Sequence, residues 1–157
     1  MTMRNIYLSL LSLLGLGALF GGGVLIISPS GKLFGIPITM LANSPFHNFL
    51  IPGIILFTFI GLIPLTVIYA LKKKSENKLA ELFNFYKDMF WGWTFSIYIA
   101  FSLIIWIQME MYYLQSVHWS HNLYMFWAIA IIFFALMPQV RSLYKKEAKS
   151  SKYKVES

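Results

Sequence analysis

The chain has 157 residues, of which 58% are apolar, 18% aromatic and only 12% charged, with no cysteine and a formal net charge of +7. A soluble domain usually carries about 25% charged residues, and one of this size cannot hide so much apolar surface, which a bilayer can solvate. The lack of cysteine excludes disulfides, thiolate metal sites and cysteine nucleophiles, and the basic residues flank apolar runs, where they meet anionic lipid headgroups rather than nucleic acid.

A membrane-spanning helix needs roughly 20 consecutive apolar residues. Four stretches meet this: residues 6–27, 49–71, 89–113 and 119–138, the last an apolar run from about Asn122 to Pro138 that Trp119 extends. The first follows Arg4 but is too long for a signal-peptide core and has no small-residue cleavage site, so it is expected to be an uncleaved span. Residues 1–150 are thus expected to form one all-α, four-helix transmembrane bundle in the cell membrane, with 151–157 as a basic cytoplasmic tail. Of the 13 basic residues, only Lys32 lies between spans one and two or between spans three and four. The positive-inside rule therefore predicts that both termini are cytoplasmic.

The loop from Ser28 to Asn48 should face the opposite side. It has turn signals at Pro29 to Gly31 and at Gly35 to Pro37, yet is rich in Leu, Phe, Ile and Met. That composition predicts an apolar outer loop capping the bundle between helices 1 and 2, with a helical turn over 37–41. Ser44 and Pro45 suit an N-cap and first turn, so the second helix is expected to begin there, bent at Pro52 and again at Pro64. In the second link, Leu79, Leu82, Phe83 and Tyr86 share a helical face and predict an interfacial helix. Trp91 and Trp93 are expected at headgroup depth.

Pro29, Ser30, Gly31, then Leu33 to Pro37, Ser44 to Phe46, Leu50 to Gly53, Pro64 with Leu65, and the close of the fourth span from Ala135 to Arg141 make up a pattern. It resembles one found in uncharacterised small bacterial four-span membrane proteins. The resemblance covers most of the chain and implies a bacterial origin and no particular activity.

Chemistry must come from few residues. Glu110 is the one acid inside a predicted span, and an intramembrane ionisable group is a functional candidate. Helical spacing places it on a face with Gly92, Ser96, Leu103, Trp106 and Tyr113. His47, His118 and His121 fall at the same depth, and His118 and His121 are three apart, a spacing able to chelate a metal. The candidates are therefore Glu110, His118 and His121 for catalysis, and Trp106, Glu110, Tyr113 and His47 for ligand binding. His118 and His121 are the only metal candidates, and neither a metal nor a cofactor is expected.

Gly17 and Gly21 form a small-xxx-small pair, Ala18 and Gly22 another, which suits close packing within the chain, a homo-oligomer or a partner membrane subunit. Aromatic side chains of the third and fourth spans are available to line a cavity. The sequence favours a non-enzymatic protein that binds lipid or another apolar ligand, or an accessory subunit of a membrane complex. An enzyme acting on a lipid through a Glu/His site at the outer leaflet, and an oligomeric channel or transporter, are the alternatives.

Overall fold

The computed structural model describes residues 2–147; the expected tail at 151–157 lies outside them. The described residues are mostly helical, and among them four helices are long and apolar enough to cross a membrane: α1 (Met3–Ile27), α2 (Leu50–Lys73), α4 (Trp91–Leu114) and α5 (Trp119–Leu136). Two short helices, α3 (Lys78–Leu82) and α6 (Pro138–Leu143), follow α2 and α5. Thr2 caps α1 by accepting from the Asn5 N–H, and Asn77 caps α3 through the Ala80 N–H.

Cross-contacts fix the topology. Gly22 of α1 lies against Gly53 of α2 and Gly15 against Gly61, so these helices run antiparallel. The Trp93 indole donates to the Ala135 carbonyl at 2.8 Å, and Glu110 lies beside His121, so α4 and α5 are antiparallel too. The Trp127 indole joins α5 to the Leu10 carbonyl of α1 at 3.1 Å, closing an up-down ring. The start of α1, the α2–α4 link and the segment after α5 therefore share one end of the bundle, which carries most of the lysines. The histidines are at the other end.

The α1–α2 seam depends on absent side chains. A Cβ on Gly22 would lie 2.6 Å from the Phe57 backbone nitrogen, and one on Gly53 2.8 Å from the Leu25 Cβ. Gly22 is thus buried against α2 of the same chain. The Gly17 Cα faces open space, and Gly21 has only Leu56 within reach, at 3.7 Å. The sequence pairs glycines four apart, whereas the closest approach uses Gly15 and Gly22, seven apart. Gly22→Ala is expected to cost about 1–3 kcal/mol of stability through forced backbone displacement, while Gly17→Ala is neutral or slightly stabilising. Thermal unfolding in detergent distinguishes them; equal melting temperatures would contradict this seam.

Helix α2 begins at Leu50 rather than near Ser44. The Ser44 hydroxyl instead accepts from the Phe46 N–H at 3.2 Å, holding a turn, and Asn48 Oδ1 accepts from the Leu50 N–H at 3.0 Å. The backbone widens to a π-helix over Leu56–Leu62, immediately before Pro64, whose missing N–H breaks the regular ladder. Beyond Pro64 the helix packs against α4; its first half leans on α1 and stands away from α4. That divergence makes room for the site described below. The loop forms short 3-10 turns at Lys32–Phe34 and Ile38–Leu41, the second close to the expected helical turn.

The lysine-rich end is closed by polar bonds. Asn84 is fully buried: its amide donates to the Met89 carbonyl (2.9 Å) and Glu81 (3.3 Å), and its Oδ1 accepts from the Thr94 hydroxyl (2.6 Å) and Tyr86 N–H (3.2 Å). The chain after α6 pairs with this link: Phe90 N–H donates to the Tyr144 carbonyl and Lys146 N–H to the Asp88 carbonyl. Only α3 of the expected interfacial helix forms, leaving Leu79, Leu82 and Phe83 exposed. Trp91 and Trp93 are buried, with their indoles donating to the Ser75 and Ala135 carbonyls.

Lys146 Nζ also meets Glu81 at 2.7 Å. Partial burial alone would raise the Glu81 carboxyl, but hydrogen bonds from Lys146 and Asn84 and the Lys146 charge outweigh it and hold the group below the ordinary carboxylate range. A depressed folded-state value means that this contribution is present above the unfolded value of about 4.3 and is lost as pH falls through the lower folded value. The pair is partly exposed, so its effect is at most about 1 kcal/mol. The melting-temperature gap between wild type and Glu81→Gln should be present at pH 6 and close below about pH 4. A gap independent of pH would refute the pairing.

Candidate functional site

A cavity of about 1210 Å³ lies where α2 stands away from α4. Its walls are the first half of α2 (Pro52, Ile55, Phe59, Ile60), the second half of α4 (Ser102, Ile105, Trp106, Met109, Glu110, Tyr113), the start of α5 and the loop after α1. The loop adds Phe34, Ile36, Met40, Leu41, Phe46 and Phe49. The Phe49 N–H donates to the Pro29 carbonyl at 2.9 Å, pinning the loop's two ends together. Gly31 takes a left-handed φ of 75°, where a Cβ would clash with the Ile36 carbonyl. The site is open on one side and mostly apolar. No lysine or arginine lines it among the described residues.

Glu110 and His121 meet at its polar end, with 3.9 Å between Oε2 and Nε2. Helical spacing on α4 carries Glu110 to the interior face predicted for it, where Gly92, Ser96 and Leu103 are buried nearer the other end. His121 is nearly buried, whereas 34% of the Glu110 side chain stays accessible. His118 is the N-cap of α5, and its backbone N–H donates to His121 Nδ1 at 3.1 Å. A ring nitrogen that accepts holds a lone pair, so the neutral imidazole carries its proton on Nε2. That N–H faces Glu110 from beyond direct hydrogen-bond reach. The pair therefore presents one donor and one acceptor, side by side, at the edge of an apolar space.

The other expected residues divide. Trp106, Tyr113 and His118 line the cavity with Glu110 and His121; His47, exposed on the loop, does not. His118 Nε2 is 3.3 Å from the Ser116 hydroxyl. Among the described residues no three His, Asp or Glu side chains converge as a metal site, and His121 Nδ1 is already engaged. Of the third- and fourth-span aromatics, only Trp106, Tyr113, Trp119 and Tyr124 reach this cavity. A smaller cavity of about 220 Å³ lies against Gly17 and Gly21 and shares Ile60, Trp106, Glu110 and Tyr124 with the larger one.

The sequence reading missed the loop aromatics and the α2 wall as cavity residues. The signal was the excess of Phe, Ile and Met in a turn-rich loop, which makes sense only if those side chains have an apolar surface to cover. Compared with protein-family models, with curated proteins and with solved structures, the chain matches none.

Proposed function

We propose that this chain is a multi-pass membrane protein that holds a lipid or another long apolar ligand in the cavity between α2 and α4, without transforming it. One observation carries this reading: a mostly apolar space of about 1210 Å³ with the Glu110–His121 pair set in its wall. Cavities for drug-sized ligands run to about 1,000 Å³ and show the same contrast of apolar walls and a few placed polar groups. The lysine distribution supports a cytoplasmic location for both termini. In that orientation the Ser28–Asn48 segment is an apolar cap on the outer side, and the cavity opens toward the outer leaflet.

Native mass spectrometry of the protein, purified from membranes in mild detergent, tests the reading. The expected spectrum has an adduct of one lipid-sized mass, which delipidation removes and added lipid restores. Protein that stays free of adducts and rebinds nothing would overturn it.

The closeness of Glu110 and His121 favours a second reading, in which the same cavity serves an enzyme acting on a lipid. There the carboxylate would act as general base on a ligand hydroxyl or water, steadied by the imidazole. Ligand that leaves the protein chemically altered, with the change abolished by Glu110→Gln, would select this reading over simple binding.

A further inference from the structure

We propose that the polar group of the bound ligand is a hydroxyl, so that the ligand is an uncharged long-chain alcohol. This rests on the reading of the cavity as an apolar-ligand site and specifies its chemistry. The hydrogen-bond pattern at the polar end is what selects the group. His121 Nδ1 is occupied by the His118 backbone N–H, so Nε2 can only donate. Glu110, charged or neutral, keeps at least one accepting oxygen.

One hydroxyl oxygen placed between them accepts from His121 and donates to Glu110. Two hydrogen bonds of about 2.8 Å meeting at that oxygen bridge the 3.9 Å separation in a bent arrangement. A hydroxyl thus satisfies both groups at once, which matters most at His121, whose ring is nearly buried and for which an unpaired polar atom is costly.

Charged heads, ethers and esters match the pair less well. A primary ammonium donates to Glu110 but offers nothing to the His121 N–H, and a quaternary ammonium can donate to neither. A carboxylate or phosphate accepts from His121 but lies against the Glu110 carboxyl. Anionic heads are normally held by arginine or lysine, and none lines this cavity among the described residues. An ether or ester accepts from His121 and gives Glu110 no donor beyond the Trp106 indole beside it.

The test uses delipidated wild-type protein in detergent, an equimolar mixture of oleyl alcohol, oleyl methyl ether, oleylamine and oleic acid, and native mass spectrometry of the bound fraction. The four probes share one chain, so differences report the head. Oleyl alcohol should dominate, about tenfold or more over the ether, the size of effect expected when a buried hydrogen-bonding group goes unpaired. Glu110→Leu should close the gap between alcohol and ether. Equal occupancy by all four, or preference for the amine or acid, would overturn the hydroxyl assignment while leaving the cavity reading intact. Absence of every probe would overturn the cavity reading itself.

Discussion

Replacing Ser102 and Ser120 together by tryptophan should lower the affinity for a long-chain ligand by about tenfold or more, without unfolding the protein. The two serines line the large cavity from α4 and α5. Ser102 is exposed and Ser120 partly so, which leaves room for larger side chains. Two indoles at these positions occupy space that the ligand chain would otherwise fill. Each methylene excluded from an apolar contact forfeits about 0.8 kcal/mol, so displacing two costs roughly tenfold in binding. Overpacking penalties arise where a side chain is forced into a filled core, and these positions border empty volume. Titration of oleyl alcohol followed by native mass spectrometry measures the loss. Unchanged affinity in the folded double variant would place the ligand elsewhere.

The largest single-residue loss of stability is expected from Asn84→Leu. Leucine is close in size, so it leaves little cavity. It removes both donors and the acceptor of a fully buried amide, leaving the Thr94 hydroxyl, the Tyr86 N–H and the Met89 carbonyl without their partner. Each orphaned buried group costs about 1–3 kcal/mol. With some relaxation at the edge of the bundle, the total is expected to be about 3 kcal/mol, well above the usual effect of a substitution. The loss is local to the α2–α4 link, so protease nicking between Lys74 and Met89 should accelerate alongside the fall in melting temperature. A variant as stable and as resistant as wild type would show that these bonds do not hold the link in place.

The helices were legible because span length and charge placement act over twenty residues at a time. The observed helices 3–27, 50–73, 91–114 and 119–136 fall within a few residues of those expected from the apolar runs. Local competition decided what was not legible. Ser44 and Pro45 look like a helix start, but the serine hydroxyl spends its capacity on a turn, and α2 starts six residues later. Trp91 and Trp93 resemble interfacial anchors, but their burial and their bonds to the Ser75 and Ala135 carbonyls depend on tertiary packing that no local pattern shows. Glu110, His118 and His121 could be singled out because polar groups are rare in such a chain. The accepting role of His121 Nδ1 could not, since it depends on where α5 begins. The α2 wall was half legible: Pro64 announces a break in the helix, but not the π-helical widening before it or the lean toward α1.

Photoaffinity mapping tests the central claim most directly: an oleyl alcohol carrying a mid-chain diazirine is equilibrated with the protein in detergent, irradiated, and located by peptide mass spectrometry. Labelling concentrated on the buried cavity residues Ile60 of α2 and Leu41 and Phe49 of the loop, with Trp106 and Tyr113 of α4, is the result expected for a ligand held in the cavity. Labelling spread over the exposed outer faces, at Leu16 and Phe20 of α1 and Phe126 and Phe133 of α5, would contradict it, because that is the pattern of lipid merely surrounding the bundle.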